Sequence, residues 1–196
     1  VPEPVEDTLA GIFDRFEPAE DAERYGWLFE DGPKLPEGRN GDWREHEEAI
    51  AESRREAIEE ISERGAVRRI LEFAGQVERP FDVGRAFGEM EMPEPDAVTF
   101  LTDYLAAGDE ARARLARGFA AATLRRFGRD WGEELITGGN PELDEDQRVE
   151  LLCLLPQEPE TWRLADSQGL GERYWSSIRP QRPRAVSPFQ STRNCL

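Results

Sequence analysis

DEARARLARGFAAATLRRFGR, residues 109–129, decides the fold class of this chain. At 100° per residue, Leu115, Ala116, Phe119, Ala120, Ala122, Thr123, Leu124 and Phe127 fall on one broad apolar face. Arg114, Arg117, Arg125 and Arg129 gather on the other, with Gly118 and Ala121 between them. Asp109 and Glu110 supply negative charge where a helix begins, and Gly128 stands where a helix stops. An apolar arc this wide predicts a helix touched by neighbours on more than one side.

Working outward, the flanks repeat the same pattern on narrower stripes. Towards the N-terminus, Asp96 to Ala107 reads as a helix with Pro95 in its first turn. Phe81 to Met90 reads as a short helix weakened by Gly84 and Gly88. Ala66 to Val77 carries Val67, Ile70, Leu71, Ala74 and Val77 on one face. Trp43 to Arg64 follows Asp42 as N-cap and Glu45 as its reciprocal partner, with a stripe of Trp43, Ile50, Ala57, Ile58 and Ile61. Residues 31–42 form a glycine- and proline-rich loop. Before it, Ala19 to Phe29 and a segment bearing Leu9, Ile12, Phe13 and Phe16 read as two shorter helices.

Towards the C-terminus, Asp130 to Ile136, Asp144 to Leu155, Glu160 to Gln168 and Glu172 to Arg179 are expected helices. Trp162 and Ala165 are expected to face inward, and the tryptophans generally to pack between helices. No stretch alternates with period two, so the class is all-α: an irregular stack of antiparallel amphipathic helices. One helical domain, 1–179, is expected, divisible into sub-blocks 5–91 and 94–179. The remaining 180–196 has three prolines, three arginines and no acid. It is expected to be disordered or loosely laid on the surface, and its shift in composition suggests a truncated or frame-shifted end.

Composition narrows the function. The 196 residues carry a net charge of −17, which opposes unassisted binding to nucleic acid or anionic lipid. Lys34 is the one lysine beside 24 arginines, a bias of genome composition, so most arginines read as ordinary surface charge. Cys153 lies in an apolar run and Cys195 near the end, a placement that argues against a disulfide. With no spanning run and no secretion signal, the expectation is a soluble cytoplasmic protein.

Catalytic patterns do not assemble. His46 is the single histidine, in REHEEA on the most charged helix, outside any His-Glu-x-x-His pattern. Glu45, Glu48, Glu52, Glu56 and Glu59 make a carboxylate ladder of the kind that is solvated and partly paired, here with Arg44 and Arg55. Ser62, Ser167 and Ser176 lack a nucleophile-elbow context. No enzyme activity, cofactor or metal is therefore expected.

Two segments carry a resemblance: FDRFEPAEDAERYGWLFEDGPKLPEGRNGDW, 13–43, and LLCLLPQEPETWRLADSQGLGERYWSSIRP, 151–180. Both resemble parts of very long all-helical bacterial proteins that look like HEAT-type arrays of helix pairs, some loosely labelled addiction-module antidote-like. The resemblance implies a HEAT-like, α-solenoid fragment, a piece of a helical scaffold; the serial helices and the missing catalytic constellation point to protein binding. The expected function is a non-enzymatic interaction or scaffold module of a larger bacterial protein. Its partner would be another protein or the rest of the array, with self-association through an exposed end face. The alternative is a nucleic-acid-associated, antitoxin-like module using Arg114, Arg117, Arg125 and Arg129, and a hydrolase or metal enzyme stands a distant third. The arginine stripe is the candidate interaction surface, and its competing reading is pairing with acids of helix 43–64 or the first thirty residues.

Overall fold

In the computed structural model, residues 20–34, 43–138 and 143–178 are described, and among them every regular element is helical. The elements are α1 (Asp21–Tyr25), a 3₁₀ turn (Gly26–Phe29), α2 (Trp43–Glu63), α3 (Ala66–Ala74), α4 (Pro80–Glu89) and α5 (Glu94–Tyr104). There follow α6 (Glu110–Phe127), α7 (Arg129–Ile136), α8 (Glu145–Leu154), α9 (Pro159–Ser167) and α10 (Gly171–Ser177). The expected helix over residues 9–16, the Asp42 cap, Cys195 and the segment 180–196 lie outside the described residues, as do most of the loop 31–42 and part of the turn before Leu143.

The central helix starts on Asp109, whose Oδ1 accepts from the Arg112 amide at 2.8 Å, and stops at Gly128 with φ +90°. Its buried set is wider than the expected face: Ala113 and Gly118 join Leu115, Ala116, Phe119, Ala120, Ala122, Thr123 and Leu124. Gly118 is buried because α4 crosses α6 backbone to backbone on that side. A Cβ on Gly84 would stand 1.8 Å from the Leu115 carbonyl oxygen, and one on Gly118 would stand 1.9 Å from that of Phe81. Gly88 completes the seam against Phe119 and Ala122. The two glycines that weaken α4 as an isolated helix are thus what lets it dock, because packing stabilises a short helix more than intrinsic propensity does. This closest pairing crosses the break at residues 91–94.

Around the seam, Phe87, Phe100 and Phe119 form an aromatic cluster with ring centroids 4.6–5.4 Å apart. Ile58, Ile61, Ile70, Leu101, Leu105, Ile136 and Leu151 extend one contiguous core to both sides. Asp144 and Gln147 close a capping box at the start of α8, and the Gln147 amide also donates to the Thr102 carbonyl at 2.6 Å, tying α8 to the end of α5.

Three expectations change. The helix expected over 19–29 breaks at Gly26 into a 3₁₀ turn, which sets Phe29 fully inside, edge-to-face on Phe73 at 5.3 Å. Trp43 is not core: it is 63% exposed, because burial along α2 begins only at Ile50. Trp162 does not face inward either; it is 38% exposed, while Ala165 is fully buried as expected.

Candidate interaction surface

The arginine stripe is drawn into the fold, one residue at a time. Arg117 reaches α8 and makes a two-pronged contact with Glu150, both N–H···O distances 2.8 Å. Hydrogen bonding to Glu150 holds its guanidinium further above the usual range. Arg125 donates to Glu89 of α4 at 3.1 Å, and Arg114 to Glu110 one turn back at 2.8 Å. Arg129 pairs with Glu133 and reaches Glu158 at 3.4 Å and Thr161 at 3.2 Å, bracing α7 against α9. The partners are not the acids of α2: they come from α4, α6, α7, α8 and the turn before α9.

Two buried acids, unmarked by any sequence pattern, hold the N-terminal half. Asp82 on α4 is nearly closed off from water and lies 3.2 Å from Arg54 Nη1 and 2.9 Å from Arg79 Nε. Arg54 also donates to the Leu28 carbonyl at 2.8 Å and lies over the Phe29 ring at 5.4 Å. Burial pulls the Arg54 guanidinium below its usual range, while the Asp82 charge opposes that shift. Asp21 is likewise buried, between Arg69 at 2.7 Å and Arg64 at 3.2 Å. A cavity of about 150 Å³ opens beside it, lined by Glu20, Asp21, Arg69, Glu72, Phe73 and Gln76. Its Asp21 and Glu72 are each already paired with Arg69.

The residues with catalytic names are occupied in ordinary ways. Ser167 and Ser176 donate to the carbonyls of Leu164 and Glu172, each at 2.8 Å, within their own helices. Arg55 pairs with Glu52 and Glu59 of the α2 ladder, whereas Arg44 lies over the Trp43 ring. Burial lifts the half-buried Cys153 thiol to about 11, away from reactivity at neutral pH. Among the described residues no group of three or more His, Cys, Asp or Glu is placed to hold a metal ion. No described helix is long and apolar enough to cross a membrane.

The surface that stands out is aromatic. α9 and α10 fold back on each other through the short turn 168–170, and their residues meet as rungs one helical turn apart. At the inner rung, a Cβ on Gly171 would come 2.3 Å from Asp166 Oδ1, so the carboxylate lies directly over the start of α10. At the next, four residues out on each helix, Trp162 and Trp175 meet with ring centroids 5.6 Å apart and planes inclined 50°. Trp175 is 52% exposed. Beneath them Tyr174 is fully buried, its hydroxyl pushed up by burial and partly brought back by a hydrogen bond with Trp162. The register 162/166 against 171/175 was available in the sequence as a matched four-residue spacing about a Gly-Leu-Gly turn, but nothing there says which side of the hairpin is left uncovered.

Comparison of the chain with family models, with curated proteins and with solved structures found no match in any of the three.

Proposed function

We propose that this chain is a non-enzymatic protein-interaction module, a cytoplasmic segment of a larger bacterial scaffold in which helix pairs stack in an irregular, HEAT-like array. The observation that carries the reading is the Trp162–Trp175 pair, two large aromatic rings in contact with each other and open to solvent on adjacent helices. Tryptophan is enriched where proteins bind one another, since it covers a large area at little cost in side-chain entropy. Serial helices joined mostly by short turns, packed on near neighbours such as α2 on α3, α4 on α6 and α9 on α10, support the stacked architecture.

A nucleic-acid role draws on Arg114, Arg117, Arg125 and Arg129. It ranks second because each of the four already donates to a carboxylate of the fold, so a phosphate would have to displace an existing partner.

The test is a photo-crosslinking residue placed at Ser176, beside Trp175, with the chain expressed in its own host. The expected result is a discrete protein adduct that disappears with Trp162→Ala. Adducts to nucleic acid alone, or no adduct together with substrate turnover in a metabolite screen, would overturn the reading.

A further inference from the structure

The charges around the tryptophan pair are not balanced in the way that those around the arginine stripe are. Arg163 is turned to Glu160 at 2.8 Å, and Arg173 to Glu145 and Asp146 of α8. The two arginines nearest the aromatic pair in sequence are therefore spent elsewhere. Asp166, one turn along α9 from Trp162, and Glu172, one turn back along α10 from Trp175, are exposed and have no cationic partner among the described residues. Glu158, one turn before Trp162, has only Arg129 at 3.4 Å. Residues three and four apart share a helix face, so these carboxylates border the rings.

We infer that the Trp162–Trp175 surface docks an extended, arginine- and proline-bearing segment of a partner protein. The inference rests on the interaction-module reading above and names the partner's chemistry. The rings touch, with centroids 5.6 Å apart, so they form one aromatic patch that nothing enters, and a single extended chain laid across it reaches both rings and the carboxylates beside them. A polyproline II strand presents its residues without internal hydrogen bonds and packs on aromatic surfaces at little further entropic cost. A guanidinium stacks on an indole face within about 6 Å of its centroid, and its edge is then free to donate to Asp166 or Glu172. A second copy is the wrong occupant: pairing two such faces would bring like carboxylates together between chains of net charge −17.

The experiment uses the full chain and a synthetic decapeptide, RPPRPPRPPR, followed by calorimetry and tryptophan emission, with EPPEPPEPPE as control. Binding of the arginine peptide alone is expected, weakening as salt rises. Trp175→Ala or Trp162→Ala should reduce affinity at least tenfold with an intact circular-dichroism melt. Asp166→Asn combined with Glu172→Gln should reduce it several-fold and flatten the salt dependence.

Equal binding of the acidic peptide, or undiminished binding by the tryptophan variants, overturns the proposal. So does a dimer in sedimentation that Trp175→Ala dissolves. If glutamate in place of Arg182, Arg184 and Arg193 together raises peptide affinity tenfold, the chain's own segment competes for the surface, and the assignment to a partner protein falls. Absence of peptide binding while the Ser176 crosslink still captures protein rejects this chemistry and leaves the interaction reading standing. Loss of both rejects both.

Discussion

Where α4 crosses α6, the contacting positions are glycines and the two backbones touch; where α9 folds back on α10, the facing positions are two tryptophans and the outer faces of the rings stay wet. Both are helix pairs in one chain, and both put a glycine where a neighbour comes too close for a Cβ. The difference lies in what covers them. α4 and α6 are enclosed by α3, α5, α8 and the phenylalanine cluster, so any surplus volume at their contact would be overpacking. No described helix lies over the outer rung of the α9–α10 hairpin, so volume there costs nothing in packing. Glycines mark the central helix crossing and tryptophans the uncovered edge, the reverse of what residue size alone suggests.

The sharpest way to break that contrast is to restore a side chain at the seam. Gly84→Ala and Gly118→Ala each place a methyl within 2 Å of a backbone oxygen, which only separation of the helices can relieve. Each should lower stability by about 3 kcal/mol or more, or abolish the cooperative urea transition altogether. Gly88→Ala meets the Phe119 carbonyl at 2.7 Å and the Ala122 methyl at 2.8 Å, near the end of α4, and should cost less.

Next in size comes the buried acid on the same helix. Asp82→Ala leaves Arg54 desolvated and facing Arg79 without its counter-charge, for an expected loss of about 3 kcal/mol in chemical denaturation. Replacing Arg54 and Asp82 together with Met and Leu should recover most of it. A double variant as unstable as Asp82→Ala alone would show that the hydrogen bond to Leu28, not the charge pair, is what matters there.

Arg117→Ala removes the two-pronged link between α6 and α8, whose partners are each about a third exposed. Solvent screening limits the expected loss to about 1 kcal/mol, shrinking in high salt, as followed by thermal melts at two ionic strengths.

A smaller contribution is lost only at alkaline pH. Tyr25 is raised to about 12 by burial and by its hydrogen bond to Glu60, whose own carboxyl is held below the usual range first by that same bond. Because the folded form keeps the phenol proton beyond the ordinary tyrosine pKa of about 10, this contribution is complete below that pH. It is lost as pH climbs from there towards 12. Tyr25→Phe should flatten that part of the stability curve, and in ultraviolet titration it should remove one of the parent's two late-ionising tyrosines, leaving Tyr174.

The smallest effect on stability belongs to the edge: Trp175→Ala, at a half-exposed site, should change the melt by less than about 1 kcal/mol while removing the aromatic contact. A loss as large as that at Gly84 would mean the tryptophan pair holds the fold together and is not free to bind.

Much of this was legible in the residues. The apolar periodicity of 109–129, the Asp109 and Gly128 boundaries and the all-helical class follow from local chemistry, because a 3.6-residue repeat and a capping carboxylate act within a few residues of each other. The Asp144 start of α8 and Pro95 in the first turn of α5 are local in the same sense. What periodicity does not contain is the number of neighbours a face acquires. Gly118 falls among the arginines on a helical wheel, yet it is buried, because α4 lies on that side. Arg117 and Arg125 look like solvated charge until Glu150 and Glu89 are brought in from 33 and 36 residues away. Trp43, Trp162 and Trp175 read as core or inter-helix packing; Trp162 and Trp175 do meet between α9 and α10, yet all three stay 38–63% exposed. Among the described residues the sequence by itself determined the helical segments and close to where they begin, the break at Gly26 apart; only the tertiary structure decided which charges are neutralised and which aromatics remain in water, since both depend on contacts between residues far apart along the chain.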